Sequence, residues 1–314
     1  MVVNPQEEAL REEAVVRRGA DVAAPEAGAP VRQANLWRDA VRRYVRNRGA
    51  IVAGAVFLLV ILYSLVVPVA SPYDPNHVDY TLANQEPSLA HPFGTDNYGR
   101  DLMTRAAVGG RVSIAVGFGA TLAILVIGVL YGAISGFVGG KLDNGMMRVL
   151  DALYGLPYLP FAIIVTQIFG TVTLWVMVVA LSIASWFTAA RIVRGQVITL
   201  KENDYIRAAK AVGARWYRIL ARHILPNTLG VLVIAIFLEL PGVILGEAFL
   251  SFIGLGINPP DASWGSMAQD GLDAYRTAPW VIAVPSIAIA VAVLCANYIA
   301  DGMRDALDPR TRET

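Results

Sequence analysis

Asp204-Tyr-Ile-Arg-Ala-Ala-Lys-Ala-Val-Gly-Ala-Arg-Trp-Tyr-Arg-Ile-Leu-Ala-Arg-His-Ile-Leu-Pro226 lies between two strongly apolar runs. It therefore reads as a soluble loop between membrane spans. Its own pattern is helical. Asp204 can cap the first turn by accepting backbone N–H bonds. Gly213 marks a break, and Ala214 onward restarts a helix. Val212, Trp216, Ile219 and Leu220 fall at i, i+4, i+7 and i+8 and form one apolar face. Pro226 is expected to end the element before the next span. A loop this short cannot bury a core of its own, so its apolar face calls for a partner protein.

The 314-residue chain is 55% hydrophobic and 16% charged, with a mean hydropathy of +0.51. Soluble domains carry about 25% charged residues, so a polytopic, all-α membrane protein is expected. The net charge of +1 says little, since its distribution matters more, and no nucleic-acid partner is expected. Cys295, the single cysteine, sits in an apolar run as a small packing residue and can form no intramolecular disulfide. No Gly-x-x-x-x-Gly-Lys-Ser/Thr occurs. Gly140-Lys141 is followed by Leu142 and lacks the upstream glycine, so it cannot hold nucleotide phosphates. His77, His91 and His223 are far apart, two outside and one inside by the topology below, which excludes a three-histidine metal site. No nucleophile–base pattern lies within or beside a span. No catalytic residue, metal or cofactor is expected in this chain.

Residues 1–35 mix Glu, Arg, Ala and Pro without periodicity and read as a disordered cytoplasmic tail, not a cleaved signal peptide. Over 36–48, Trp37, Val41, Tyr44 and Val45 share one face while Arg38, Arg42 and Arg46 lie elsewhere. That is the pattern of an interfacial amphipathic helix against anionic lipid. A membrane domain over 49–314 follows, with six spans at about 49–70, 112–136, 146–170, 172–190, 230–254 and 281–300. Arginines before the first span place the N-terminus in the cytoplasm. The segment 71–111 is then outside, where Arg100 between Asp96 and Asp101 reads as a loop lock.

Gly128, Gly132, Gly136 and Gly140, four residues apart, form a helix-packing stripe. Pro157 and Pro160 are expected to bend the third span. Arg191 and Arg194 open a basic, cytoplasmic loop over 191–228. Glu239 and Glu247 lie in the fifth span, with Pro241 between them. A central acid costs an inserting helix roughly 2.5–3.5 kcal/mol, and each Leu, Ile, Val or Phe returns roughly 0.3–0.6. The span therefore inserts, but its acids avoid lipid. Both are candidates for a solute path, and a bond to a neighbouring helix is the alternative for Glu239. The last span ends at Asn297 and Asp301, with the C-terminus inside.

Four stretches carry a resemblance. Arg207-Ala208-Ala209, Gly213 and Leu225-Pro226 are similar to the cytoplasmic-loop signature of ABC-importer permeases, with Arg207 where that family carries Glu. His91-Pro-Phe-Gly-Thr-Asp-Asn-Tyr-Gly-Arg-Asp101 resembles the external loop of the dipeptide/oligopeptide/nickel branch. So does Gly246-Glu-Ala-Phe-Leu-Ser-Phe-Ile-Gly-Leu-Gly256 with Pro259-Pro-Asp-Ala-Ser-Trp-Gly265, and Asp301-Gly-Met-Arg-Asp-Ala-Leu-Asp-Pro309 resembles its C-terminal ending. The matches run from about residue 36 to 312 and point to the second, C-type permease of the pair.

The resemblance implies half of a translocation pathway in a prokaryotic cell membrane, working by alternating access. It implies a homologous second permease, two ABC ATPases that hold ATP and Mg, and an extracytoplasmic solute-binding protein as partners. It assigns Tyr205, Arg207, Ala208, Ala209, Gly213, Trp216, Tyr217, Leu225 and Pro226 to a coupling helix. Inverting a two-state population from 1:99 to 99:1 takes roughly 5.5 kcal/mol, while exposed ion pairs supply about 0–1 kcal/mol each. The loop's arginines alone cannot transmit that. The loop is expected to be gripped as a rigid body, with Trp216 and Tyr217 as anchors; contact with the chain's own span ends is the alternative for these rings. The rival class is an ion-coupled secondary carrier, which needs a carboxylate relay and often two similar halves. The sequence shows isolated acids and no internal repeat. Peptide, nickel chelate or another small solute all suit this frame.

Overall fold

The computed structural model describes residues 36–307. The tail over 1–35 and the closing Asp308-Pro309 lie outside the described residues. Contacts within the chain fall into two units, Met1–Asp39 and Ala40–Thr314, and all the long apolar helices belong to the second. No strand occurs among the described residues.

Helix α1 (Leu36–Tyr44) ends four residues short of the expected Arg48. The reason is local. Asn47 caps α2 (Arg48–Ala70), its side chain accepting from the Ala50 amide at 3.1 Å, so the two helices stay separate. Val41 and the following Val45 remain exposed.

Asp101 caps α3 (Leu102–Val138), accepting from the Thr104 amide at 2.8 Å. This helix begins ten residues before the expected Val112, so the connection before it is 71–101, not 71–111. Hydropathy marks only the part of a helix that lipid can surround. Polar turns that prolong it leave no such signal. Arg105 and Arg111 ride in those turns, and Arg111 donates to the carbonyl oxygens of Ser64 and Leu65.

The third expected span is two helices, α4 (Gly140–Tyr154) and α5 (Tyr158–Phe169), bent by 91°. Pro157 makes the break, because it disfavours a helical Leu156 before it. Pro160 does not bend anything: it sits in the first turn of α5, where its missing N–H had no partner to lose. By length and hydropathy the described residues hold five spanning helices, or six if the bent pair is one span.

Helix α6 (Leu174–Lys201) continues eleven residues past Ala190, so much of the expected loop after 191 is helix. Its Arg191 and Arg194 reach Asp151 and Asp143 of α4 at 2.7 and 2.6 Å. After α7 (Asp204–Ala211) and one turn of α8 (Trp216–Ile219), a π-helical turn over Leu220–Ile224 leads straight into α9 (Leu225–Phe252). Pro226 therefore ends nothing. It stands in the first turn of α9, a position that tolerates it. A short α10 (Trp264–Asp270) and the long α11 (Pro279–Leu307) complete the bundle.

The core forms around α3, which packs on α2, α6 and α9. Its glycines make the α6 contact possible. A Cβ on Gly128, Gly132 or Gly136 would stand 2.6, 2.2 or 2.8 Å from atoms of Ala189, Ala190 or Arg194. No side chain fits there. Gly140, the expected fourth member, lies beyond the helix end with φ +61° and nothing within 4 Å.

Candidate functional site

Three places bear on function, one at each end of the bundle and one between them. The first follows α6. Asn203, not Asp204, occupies the N-cap of α7, and it makes no side-chain cap bond. Asp204 sits in the first turn, where a negative charge faces the helix's positive end. At the other end the chain forms a Schellman turn. The Ala214 amide donates to Ala209 O and the Gly213 amide to Lys210 O, at 3.1 and 3.0 Å, with Gly213 at φ +79°.

The expected single apolar face splits in two. Ile219 and Leu220 turn inward with Ile206 and Ile224 against Ala133, Val193, Val197 and Leu232. Val212, on the same predicted face, is 85% exposed. Trp216 rests against Phe137, the ring centroids 6.3 Å apart, and Tyr217 stacks edge-on to Trp216. Each of these two rings is still about half open, as is Tyr205. Ala209 and Leu225 pack on the buried cluster, while Arg207, Ala208 and Pro226 face outward. Arg207 pairs with Glu202 at 3.1 Å, both largely exposed, so this bond adds little stability. The segment thus has an inner side rooted in the span ends and an outer side carrying Tyr205, Val212, Trp216 and Tyr217.

The second place is the connection 71–101 with the turn around α10. Arg100 does not bridge Asp96 and Asp101. Its Nε donates to Asp96 at 2.6 Å and its Nη2 to Asp270 at 3.2 Å. Asp96 also accepts from the Tyr98 and Arg100 amides. Asp101 is turned away to cap α3 and to face His91 Nδ1 at 2.9 Å. Asp270 is the last residue of α10, far along the chain, and no local pattern announces it as a partner. Asp96 is buried, and removing it leaves the Arg100 Nε without its acceptor and the guanidinium held by Asp270 alone. Asp96→Ala is expected to destabilise the protein by about 1.5–3 kcal/mol, read as a lower denaturant midpoint of the purified chain. An unchanged midpoint would show that the lock is ornamental.

The third place is α9, whose two acids sit in unlike settings. Glu247 is wholly buried. It accepts from Ser113 at 2.8 Å and from Ser251 at 2.7 Å, and Ser113 Oγ accepts in turn from the Trp264 amide. This acid ties α3, α9 and α10 together and lines no open space. Glu239 lines two cavities of about 160 and 340 Å³. Thr121 and Thr188 share the smaller with it, and Tyr158, Ser185 and Thr188 the larger. Thr121 was not a candidate from the sequence. A single hydroxyl in an apolar run gives no pattern to read.

A family model described as a binding-protein-dependent transport system inner membrane component matches residues 128–313. Another, the N-terminal TM domain of oligopeptide transport permease C, matches residues 35–87. The oligopeptide transport system permease protein OppC of Haemophilus influenzae is 40% identical over 280 residues, 88% of this chain and 90% of that protein. OppC of Bacillus subtilis is 41% identical, covering 89% of this chain and 91% of its own. The dipeptide transport system permease protein DppC of Bacillus subtilis is likewise 41% identical, over 88% of this chain and 86% of its own. A solved structure of the MetNI methionine ABC transporter in inward-facing form gives a TM-score of 0.49 at 21% identity, over 63% of this chain and 94% of that one.

Proposed function

This chain belongs to the family of inner membrane components of binding-protein-dependent transport systems, as a permease subunit of an ABC importer. On that premise we propose that it is the C-type half of a peptide pathway, driven by ATP hydrolysed in other subunits. A homologous permease supplies the second half. Two ABC ATPases holding ATP and Mg bind beneath, and an extracytoplasmic binding protein delivers peptide from outside. The segment 202–226 and both chain ends face the cytoplasm. Arg207, Lys210, Arg215, Arg218 and Arg222 on that segment support this orientation, since basic residues concentrate inside.

The observation that carries the coupling role is the two-sided segment itself. Ile206, Ile219, Leu220 and Ile224 root it in the ends of the spans. Tyr205, Val212, Trp216 and Tyr217 are left open on its far side. A rooted, helical projection with aromatic anchors moves with the spans when it is gripped, so it suits a rigid-body grip. The two acids of α9 do not form a relay: eight residues apart on a helix, they are separated by roughly 12 Å along its axis, and Glu247 is closed off. The carrier reading gains nothing from them.

Purification in mild detergent tests the assignment. The tagged chain should bring ATPase chains and a second permease with it, and peptide uptake by the reconstituted set should need ATP. Peptide uptake by this polypeptide alone would refute it.

A further inference from the structure

We propose that Glu239 receives the protonated amine of the peptide as it crosses, inside a chamber whose other polar groups are hydroxyls. The inference rests on the peptide-permease reading and adds to it where, and through which chemical group, the solute is held.

The starting point is an acid without a counter-charge. Glu239 stands near the middle of α9, within a span. Among the described residues it makes no hydrogen bond or ion pair. No Lys, Arg or His lines either of its cavities. Arg191, which stacks on Tyr154 of the larger cavity's wall, is engaged by Asp151 at 2.7 Å. Glu247, two turns on, shows how this fold settles an acid that it wants inside: two serines bond it and no cavity reaches it. Glu239 is left open instead. An unpaired acid at membrane depth marks a place for something charged to pass or bind.

The wall decides what fits. Thr121 is 1% exposed, and its hydroxyl has no partner although it borders the smaller cavity beside Glu239. A buried hydroxyl without a bond is uncommon and awaits a donor or acceptor. Ser185, Thr188 and Tyr158 bring further hydroxyls to the larger side. One carboxylate with hydroxyl oxygens around it matches an ammonium group, which has three N–H donors and a single positive charge. A divalent metal asks for more carboxylate or imidazole ligands, and no group of three His, Cys, Asp or Glu gathers among the described residues. The larger cavity, about 340 Å³, is at the small end of ligand sites. It takes the amino end of an extended solute rather than a whole oligopeptide. The apolar remainder of the wall grips no particular side chain, which suits passage of varied peptides.

The test uses the full transporter in proteoliposomes: this chain, its partner permease, both ATPases and the binding protein, with labelled trialanine as solute. Glu239→Gln keeps the shape and removes the charge. It should lower uptake per ATP hydrolysed about tenfold, and Glu239→Asp should restore part of it. Thr121→Val should raise the half-saturating peptide concentration about threefold, and it stands in for Glu239→Gln if that variant does not assemble. Wild-type uptake per ATP in Glu239→Gln, or a wild-type half-saturating concentration in Thr121→Val, overturns the proposal. So does wild-type uptake that requires sodium or potassium, which would give the site to an alkali cation. ATP-independent uptake by the wild-type set would count against the permease reading instead, and so separates the two failures.

Discussion

Gly213→Pro is expected to abolish coupled uptake, by tenfold or more, in a chain that still inserts and assembles. Gly213 is exposed, and nothing lies within 4 Å of the place where its Cβ would stand, so the effect is conformational and not steric. The Schellman turn needs a left-handed residue here, at φ +79°, and an amide that donates to Lys210 O. Proline has neither: its φ is held near −65° and its nitrogen carries no proton. The companion bond from Ala214 to Ala209 goes too, because it exists only while the turn has this hand. Two hydrogen bonds at about 1 kcal/mol each exceed the ~1.4 kcal/mol that changes a population tenfold. What is lost is the fixed angle between α7 and the turn that follows it. Tyr205 and Trp216 then no longer present one surface. ATP hydrolysis should continue without matching uptake. Gly213→Ala is the graded control, since a left-handed alanine costs about 1–2 kcal/mol and space is free. Uptake by Gly213→Pro within twofold of wild type would remove the segment from the coupling path.

The location of this segment was legible in the sequence because breaks and small residues are local signals. Gly213 announces a turn whatever surrounds it. Its two faces were not legible as two. Val212 and Ile219 share a helical face only if one helix runs through both, and the Schellman turn between them redirects the chain. The centres of five spans were readable from hydropathy, but their ends were not, and the third expected span breaks at its middle. Leu102 to Arg111 and Arg191 to Lys201 are helical turns rich in polar contacts, and those contacts lie on other helices and on the connection 71–101. The same limit explains Arg100. Its sequence neighbours offered Asp96 and Asp101 equally, and the choice was made by Asp270, which only the fold brings near. The α9 acids show the limit most plainly. Glu239 and Glu247 look alike along the chain, and they differ in what the fold puts beside each: Thr121 and an open cavity by one, Ser113 and Ser251 against the other.

That difference gives the second large effect. Glu247→Ala is expected to destabilise the protein by on the order of 3 kcal/mol, from two buried hydroxyls losing their acceptor, at about 1 kcal/mol or more each, and a cavity left behind. Ser113 and Ser251 are both buried and both donate to this carboxyl group. The damage should spread to the turn around α10. Ser113 also receives the Trp264 amide, and the Trp264 indole, itself wholly buried, donates to Ala106 O at 2.9 Å. Loosening Ser113 therefore loosens the seat of α10. Glu247→Gln keeps one oxygen acceptor and the volume, so it should lose much less than Glu247→Ala. Because Ser113→Ala breaks the same network, its effect and that of Glu247→Ala should fall short of adding. Denaturant unfolding of the single and double variants measures this directly. If Glu247→Ala unfolds like the wild type yet carries no peptide, the acid belongs to the solute path and the structural role assigned to it fails. If stability drops while the surviving folded fraction transports normally, Glu239 is left as the acid of α9 that the solute meets.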